Sequence, residues 1–188
     1  IRIPTSGALL GAVAVLAILP ATARAQALDA RWLPWLGCWQ PAVEATVGSD
    51  DRLVCVRAAT GEGGVEIVAV SGGAILSSRT LLADGQPHDL TDGDCLGWQS
   101  ARFSGDGSRA FLRSDLTCEG GAKRTASAIM AVASPAEWLD AQSVGLDNER
   151  MPRASRYRLA PESVWPEEFA LPADRAARAA DARLVASA

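Results

Sequence analysis

The feature that most constrains the fold is a long series of short apolar segments separated by turn residues. Between Gly37 and Ala160, segments rich in Val, Ile, Leu and Thr alternate with clusters of Gly, Asp and Ser. Such punctuation is typical of β-strands joined by tight turns. The pattern predicts strands near 37–43, 51–59, 64–70, 74–82, 95–103, 109–118, 123–133, 138–145 and 153–160.

The connectors between these segments predict how the strands are arranged. Most of them are short, as in the sequence SGDGS at 104–108, so consecutive strands are expected to pair antiparallel. A meander of this length tends to curl into a closed barrel, because closure removes the exposed strand edges. The predicted fold class is therefore all-β, an up-and-down antiparallel meander barrel of about 8–10 strands.

Four cysteines, Cys38, Cys55, Cys95 and Cys118, allow three disulfide connectivities. A hairpin centred on the SGDGS turn places Cys95 opposite Cys118, and a hairpin over the first two segments places Cys38 opposite Cys55. Directly opposed residues have Cβ atoms ~4.5–5.5 Å apart, which a disulfide spans after slight twisting. The register therefore predicts the pairs Cys38–Cys55 and Cys95–Cys118.

The first 25 residues have two interpretations. An apolar segment between Arg2 and the small residues up to Ala25 fits a signal peptide that is cleaved after Ala25, which would leave a secreted or periplasmic protein. The same uncharged stretch is also long enough to cross a bilayer core of ~30 Å. We favour a retained single-pass anchor in a bacterial-type inner membrane, with a cytoplasmic N-terminus and a periplasmic domain. In that anchor the small residues Gly7 and Gly11 would pack against helices of other subunits.

The chain thus divides into a leader at 1–25, a barrel at 26–160, and an extended arm with a C-terminal helix at 161–188. The arm carries Trp165 and Phe169, which are expected to bind a partner unless the arm folds back. The helix is expected to begin near Pro172, which suits a first turn. Its apolar face is predicted from helical spacing to consist of Ala173, Ala176, Ala177, Ala180 and Leu184.

Reactive groups are sparse in this sequence. His88 is the only histidine and lies in a polar segment, DGQPHDLTDGD, which is expected to be a loop. Asp89, Asp92 and Asp94 offer oxygen ligands but lack the spacing of an EF-hand. No nucleophile elbow or phosphate-binding loop is present. We therefore expect no catalytic residue, metal or cofactor, and the net charge of −4 argues against nucleic acid as a partner.

The stretch Gly37-Cys38-Trp39, at the start of the first strand, resembles the opening of lipocalins and other calycin-like barrels. In those families the tryptophan closes one end of an up-and-down barrel and a basic residue of the last strand packs over it. The resemblance therefore implies that Trp39 is such a plug and that Arg156 or Arg158 lies against it. It also implies an interior suited to a small apolar ligand.

These observations leave two functions open. The favoured one is a non-enzymatic, membrane-anchored accessory subunit of a larger complex, with photosynthetic and respiratory complexes as candidates. It would contact the lipid bilayer and other subunits through the N-terminal helix and the C-terminal arm. The alternative is an exported, lipocalin-like binder of a small apolar ligand.

Overall fold

The computed structural model describes residues 27–42, 52–60, 63–147 and 149–188. The described chain forms one sheet of ten antiparallel strands and a C-terminal helix, α1 (Ala173–Ala186). The strands are β1 (Gly37–Pro41), β2 (Leu53–Ala58), β3 (Val65–Ser71), β4 (Ala74–Leu81), β5 (His88–Asp92), β6 (Cys95–Phe103), β7 (Arg109–Thr117), β8 (Lys123–Ser134), β9 (Glu137–Leu146) and β10 (Glu149–Leu159). The predicted all-β antiparallel meander is therefore confirmed.

The predicted hairpin registers are also present. Phe103 lies opposite Ala110 across the β6–β7 turn, and Trp39 lies opposite Val54 across β1 and β2. Both predicted disulfides are formed, Cys38–Cys55 and Cys95–Cys118. The turn residues and the alternation of buried residues specify the register, because a slip of one residue would turn every buried side chain outwards.

The sheet differs from the prediction in how it closes. The strand order is β4-β3-β2-β1-β10-β9-β8-β7-β6-β5, so the first strand joins the last, while β4 and β5 form the two ends. The sheet is thus a curled half-barrel rather than the closed barrel predicted. The segment around His88, expected to be a loop, contains a strand that was not predicted, β5, which pairs with β6. Its polar composition concealed it, because a short edge strand buries few apolar side chains.

An aromatic cluster fills one end of the half-barrel. A short 3-10 helix, Ala30–Trp35, precedes β1 and places Trp32 and Trp35 in the core, both with no exposed surface. The Trp32 ring meets Phe103 edge-on, with centroids 4.8 Å apart. Helix α1 packs against this 3-10 helix. This end of the half-barrel is therefore the main hydrophobic core.

Helix α1 presents a different face to the core from the one predicted. Its buried positions are Ala179 and Arg183, whereas Ala180 and Leu184 are exposed. Helical spacing of apolar residues misplaced the face, because it excluded an arginine from the buried side. The Arg183 side chain is accommodated there by a hydrogen bond that its Nη1 donates to the Leu36 carbonyl at 3.1 Å.

The proposed membrane anchor, including Gly7 and Gly11, lies outside the described residues. Within the described part of the chain, no helix combines the length and the apolar character needed to cross a bilayer.

Candidate functional site

The interior surface of the half-barrel changes from apolar to polar along its axis. Interior positions alternate with exterior ones on every strand, as the pleat requires. Near the aromatic cluster, β7 and β9 contribute the apolar residues Leu112 and Trp138 to the interior. One repeat further along each of these strands, the interior residues are Ser114 and Asp140, which are both buried.

A cavity of about 250 Å³ occupies this transition. Its apolar part is lined by Val54, Ile67, Leu81, Leu112, Met130 and Trp138. Its polar lining includes Arg79, Ser114, Asp140 and Gln142. We refer to these four residues together with Gln99 as the polar layer. Because an apolar cavity of ~150 Å³ already holds benzene, this one is large enough for a small ligand.

Side chains of the polar layer link β4, at one end of the sheet, to β6, the strand next to the other end. Arg79 Nε on β4 donates to Gln99 Oε1 on β6 at 2.6 Å, and Gln99 Nε2 donates to the Thr80 carbonyl at 2.8 Å. These bonds join strands that the backbone ladder leaves separate. The polar layer therefore holds the open edge of the half-barrel together while it lines the cavity.

Asp140 is the unusual member of the polar layer. It is 7 % exposed, and its Oδ2 accepts a hydrogen bond from Gln142 Nε2. Its Oδ1 is buried and accepts no hydrogen bond from any residue that the structure describes. Burial raises the pKa of the Asp140 carboxyl, because desolvation disfavours its charged form. A buried carboxylate without a full set of donors is costly unless something else supplies them.

Arg79 carries the opposite charge on the same cavity wall. Burial lowers the pKa of its guanidinium and the positive charge of Arg124 lowers it further, while the charge of Asp140 acts in the other direction. The two side chains nevertheless form no ion pair with each other; Arg79 bonds to Gln99 and Asp140 to Gln142. Arg113 also borders the cavity but is exposed, so Arg79 and Asp140 are the opposite charges held within it, and they do not neutralise each other directly.

A second cavity, of about 740 Å³, continues from the polar layer towards the gap between β4 and β5. It shares Arg79, Ser114 and Gln142 with the first cavity, so the two spaces adjoin. At its far end, Arg124 of β8 forms an ion pair with Asp92 of β5. The passage from the outside to the inner cavity thus runs along the open edge of the sheet.

Comparison with known proteins adds no argument to this description. No protein-family model and no curated protein sequence matches the chain. Among solved structures, a secretory abundant heat soluble (SAHS) protein of Ramazzottius varieornatus is similar at 10 % identity and a TM-score of 0.45. A second such protein of that organism, number 4, is similar at 13 % identity and a TM-score of 0.39. Each match covers 68 % of this chain and 96 % of the other, and scores this low carry no argument about function.

The predicted barrel plug is only partly as expected. Trp39 is 1 % exposed, donates its Nε1 proton to the Trp35 carbonyl at 2.7 Å and meets Trp138 edge-on. The basic group against its ring, however, is Arg183 of α1, with the guanidinium carbon 5.8 Å from the ring centroid. Arg156 and Arg158 are exposed and both pair with Glu137 instead. They lie on the outer face of β10, because the interior positions of that strand include Tyr157 and Leu159.

We predict that Arg183 contributes more to the stability of the fold than Arg158 does. Replacing Arg183 by Met should lower the free energy of unfolding by ~1–3 kcal/mol, because the Leu36 carbonyl loses a charged hydrogen-bond donor. The matched change Arg158→Met should cost ~1 kcal/mol or less, since exposed ion pairs contribute little. Urea denaturation of both variants measures the difference. Equal losses would show that Arg183 does not hold α1 on the domain.

The predicted partner-binding residues of the arm contact their own chain. Phe169 is 3 % exposed and lies under the Arg57 guanidinium, 5.0 Å from its ring centroid. Trp165 donates its Nε1 proton to the Ala160 carbonyl at 2.9 Å and covers Gly37 so closely that a Cβ there would lie 2.7 Å from its ring. The arm thus covers the outer face of β1–β3, including the Cys38–Cys55 disulfide. The glycine of the Gly-x-Trp stretch is needed for this packing.

The residues considered for chemistry in the sequence do not converge on the cavity. His88 Nε2 lies 2.9 Å from Asp84 Oδ1 at the surface, and Asp89 is at the rim of the outer cavity. Asp92 is engaged by Arg124, and Asp94 lies beside Cys95 and Cys118. Because those two sulfurs are joined in a disulfide, they are not thiolate ligands for a metal.

The polar layer was missed by sequence reasoning. Asp140 and Gln142 are polar residues at alternate positions of a strand, a pattern that normally indicates the solvent face. A signal was available, because Asp140 and Gln142 lie at the same alternate positions of β9 as the core residue Trp138. Asp140 also lies opposite the core residue Met130 on the neighbouring strand. A polar residue that is in phase with the core positions faces the interior, whatever its charge.

Proposed function

We propose that this protein is an exported, non-enzymatic binding protein that holds a small ligand with an apolar body in the inner cavity. The observation that carries the proposal is the cavity itself, which combines an apolar base with a few buried polar groups. That composition is typical of small-molecule sites. An open edge beside the polar layer provides a route for entry that needs no unfolding of the core.

The cysteines support export. Two disulfides tie adjacent strands, and disulfides of this kind persist in oxidising compartments outside the cytoplasm. The arm favours a binding module over the accessory subunit, because its two aromatic side chains are occupied within the chain. The Asp140 carboxyl and the Arg79 guanidinium do not form a pair of nucleophile and general base, so we assign no reaction to the site.

A cavity-filling substitution tests this function. Ala126 of β8 lines the inner cavity, so Ala126→Trp should reduce the affinity for 2-methylnaphthalene, a bicyclic apolar probe, by at least about tenfold. The probe should otherwise bind in the micromolar range or tighter, since burial of its rings is favourable. Isothermal titration calorimetry at pH 7 measures both affinities.

Ala141→Trp is the matched control, because Ala141 is exposed on the outer face of the neighbouring strand. This variant should bind the probe as the original protein does. Absence of binding by the original protein, or equal binding by both variants, would contradict a ligand site in the cavity. Near-ultraviolet circular dichroism establishes that each variant is folded.

A further inference from the structure

We infer that the cavity selects ligands with an uncharged polar head that both donates and accepts hydrogen bonds, and that Arg79 and Asp140 discriminate against charged heads of either sign. This inference rests on the proposed function and adds the chemistry of the ligand to it. A primary carboxamide on a small aromatic or aliphatic body is the simplest head of this class.

The hydrogen bonds within the polar layer leave Asp140 free to accept, and Arg79 free to donate, further hydrogen bonds. One carboxyl oxygen of Asp140 accepts a hydrogen bond from Gln142, and its other oxygen lacks a donor among the described residues. Arg79 uses its Nε on Gln99, and its terminal nitrogens donate no hydrogen bond to any described side chain or carbonyl. A ligand head that donates a hydrogen bond to the Asp140 carboxylate and accepts one from the Arg79 guanidinium would therefore satisfy both groups.

Charge balance decides which heads are favoured. An anionic head beside Arg79 would also face Asp140, and a cationic head beside Asp140 would also face Arg79. Each would add a net charge to a buried site, where repulsion is weakly screened. A neutral head leaves one charge of each sign in place and avoids that cost. Two further arginines act on these groups: Arg124, which is paired with Asp92, lowers the pKa of Arg79, and Arg153 lowers that of Asp140.

The shape of the site supports the same orientation. The apolar base, with Leu112, Met130 and Trp138, lies at the closed end, and the polar layer lies towards the open edge. An amphipathic molecule can place its body on the base and its head at the polar layer. The reverse orientation would put a polar head against Leu112 and Trp138. There the Trp138 Nε1–H, which has no partner among the described residues, offers one donor and no acceptor, so the head would lose most of its hydrogen bonds to water.

Four naphthalenes with different heads test the inference by calorimetry at pH 7. They are 2-naphthamide, 2-naphthoate, 2-naphthylmethylammonium and 2-methylnaphthalene, which share a body and differ in charge and hydrogen bonding. We expect 2-naphthamide to bind at least about tenfold more tightly than each of the two charged probes and more tightly than 2-methylnaphthalene. The amide and the carboxylate are nearly equal in size, so their comparison isolates charge.

Two substitutions should invert the preference. Asp140→Asn removes the negative charge with little change of shape. The affinity for 2-naphthoate should then rise about tenfold, because Arg79 attracts the carboxylate without opposition from Asp140. Arg79→Met removes the positive charge, so 2-naphthylmethylammonium should gain by a similar factor. Ala126→Trp should weaken binding of all four probes, which shows that they occupy the inner cavity.

The outcomes separate this inference from the proposed function. If 2-methylnaphthalene binds and is blocked by Ala126→Trp, but the head makes no difference, the cavity is a ligand site and the inferred selectivity is wrong. A preference of the original protein for either charged probe also overturns the selectivity. If none of the four probes binds, the proposed function itself fails. Should either charge variant not fold, the ranking of the four probes by the original protein still decides.

Discussion

Replacing Trp39 by Ala is expected to lower the free energy of unfolding by ~3–5 kcal/mol, the largest single-residue effect we anticipate in this chain. The ring is almost fully buried between Trp138 and the Arg183 guanidinium, and its Nε1 proton satisfies the Trp35 carbonyl. Its removal would leave a large void and a buried carbonyl without a donor. Urea denaturation followed by circular dichroism measures the loss.

Trp98→Ala is the control for this experiment. Trp98 is on the outer face of β6 and is 38 % exposed, so its truncation should cost on the order of 1 kcal/mol. A Trp39→Ala variant that is as stable as the control would show that the cluster at the closed end does not organise the core. It would also remove the basis for the calycin-like assignment of Trp39 as a plug.

Removing the Cys38–Cys55 disulfide by a double change to Ala should cost ~3 kcal/mol or more. The link closes a loop with a sequence separation of 17, and constraining a loop of about that length stabilises a fold by ~3 kcal/mol. Both cysteines are fully buried, next to Val68 and Val70, so lost packing adds to the effect. Denaturation under oxidising conditions measures the loss.

The second disulfide serves as the comparison. Cys95–Cys118 closes a similar loop, with a separation of 23, but joins the ends of β6 and β7, where Cys118 is only half-buried. Its double Ala variant should lose ~3 kcal/mol from the loop alone, with less contribution from packing. Greater destabilisation from this pair than from Cys38–Cys55 would contradict the importance of the arm-covered cluster on β1–β3.

The sequence by itself determined the local pairing of the strands. Turn residues and alternation specify a hairpin within a short stretch of chain, which is why the cysteine pairs and the register around SGDGS could be read directly. The edge strand β5 escaped because Leu90 is its only apolar residue, so no alternating hydrophobic pattern marks it. The leader at 1–25 lies outside the described residues, and its two interpretations remain predictions.

Only the tertiary structure decided which side chains meet over long distances. Arg183 reaches Trp39 from the C-terminal helix, whereas the resemblance to calycin-like barrels implied Arg156 or Arg158. The polar layer brings Arg79, Gln99 and Asp140 together from three strands, and no spacing in the sequence records that meeting. The physical reason is that strand curvature and helix docking set these contacts, and both depend on the packing of the whole core rather than on local pattern. The sequence therefore specified the hairpins and disulfides, and the curled sheet alone created the cavity and the pair of opposite charges that line it.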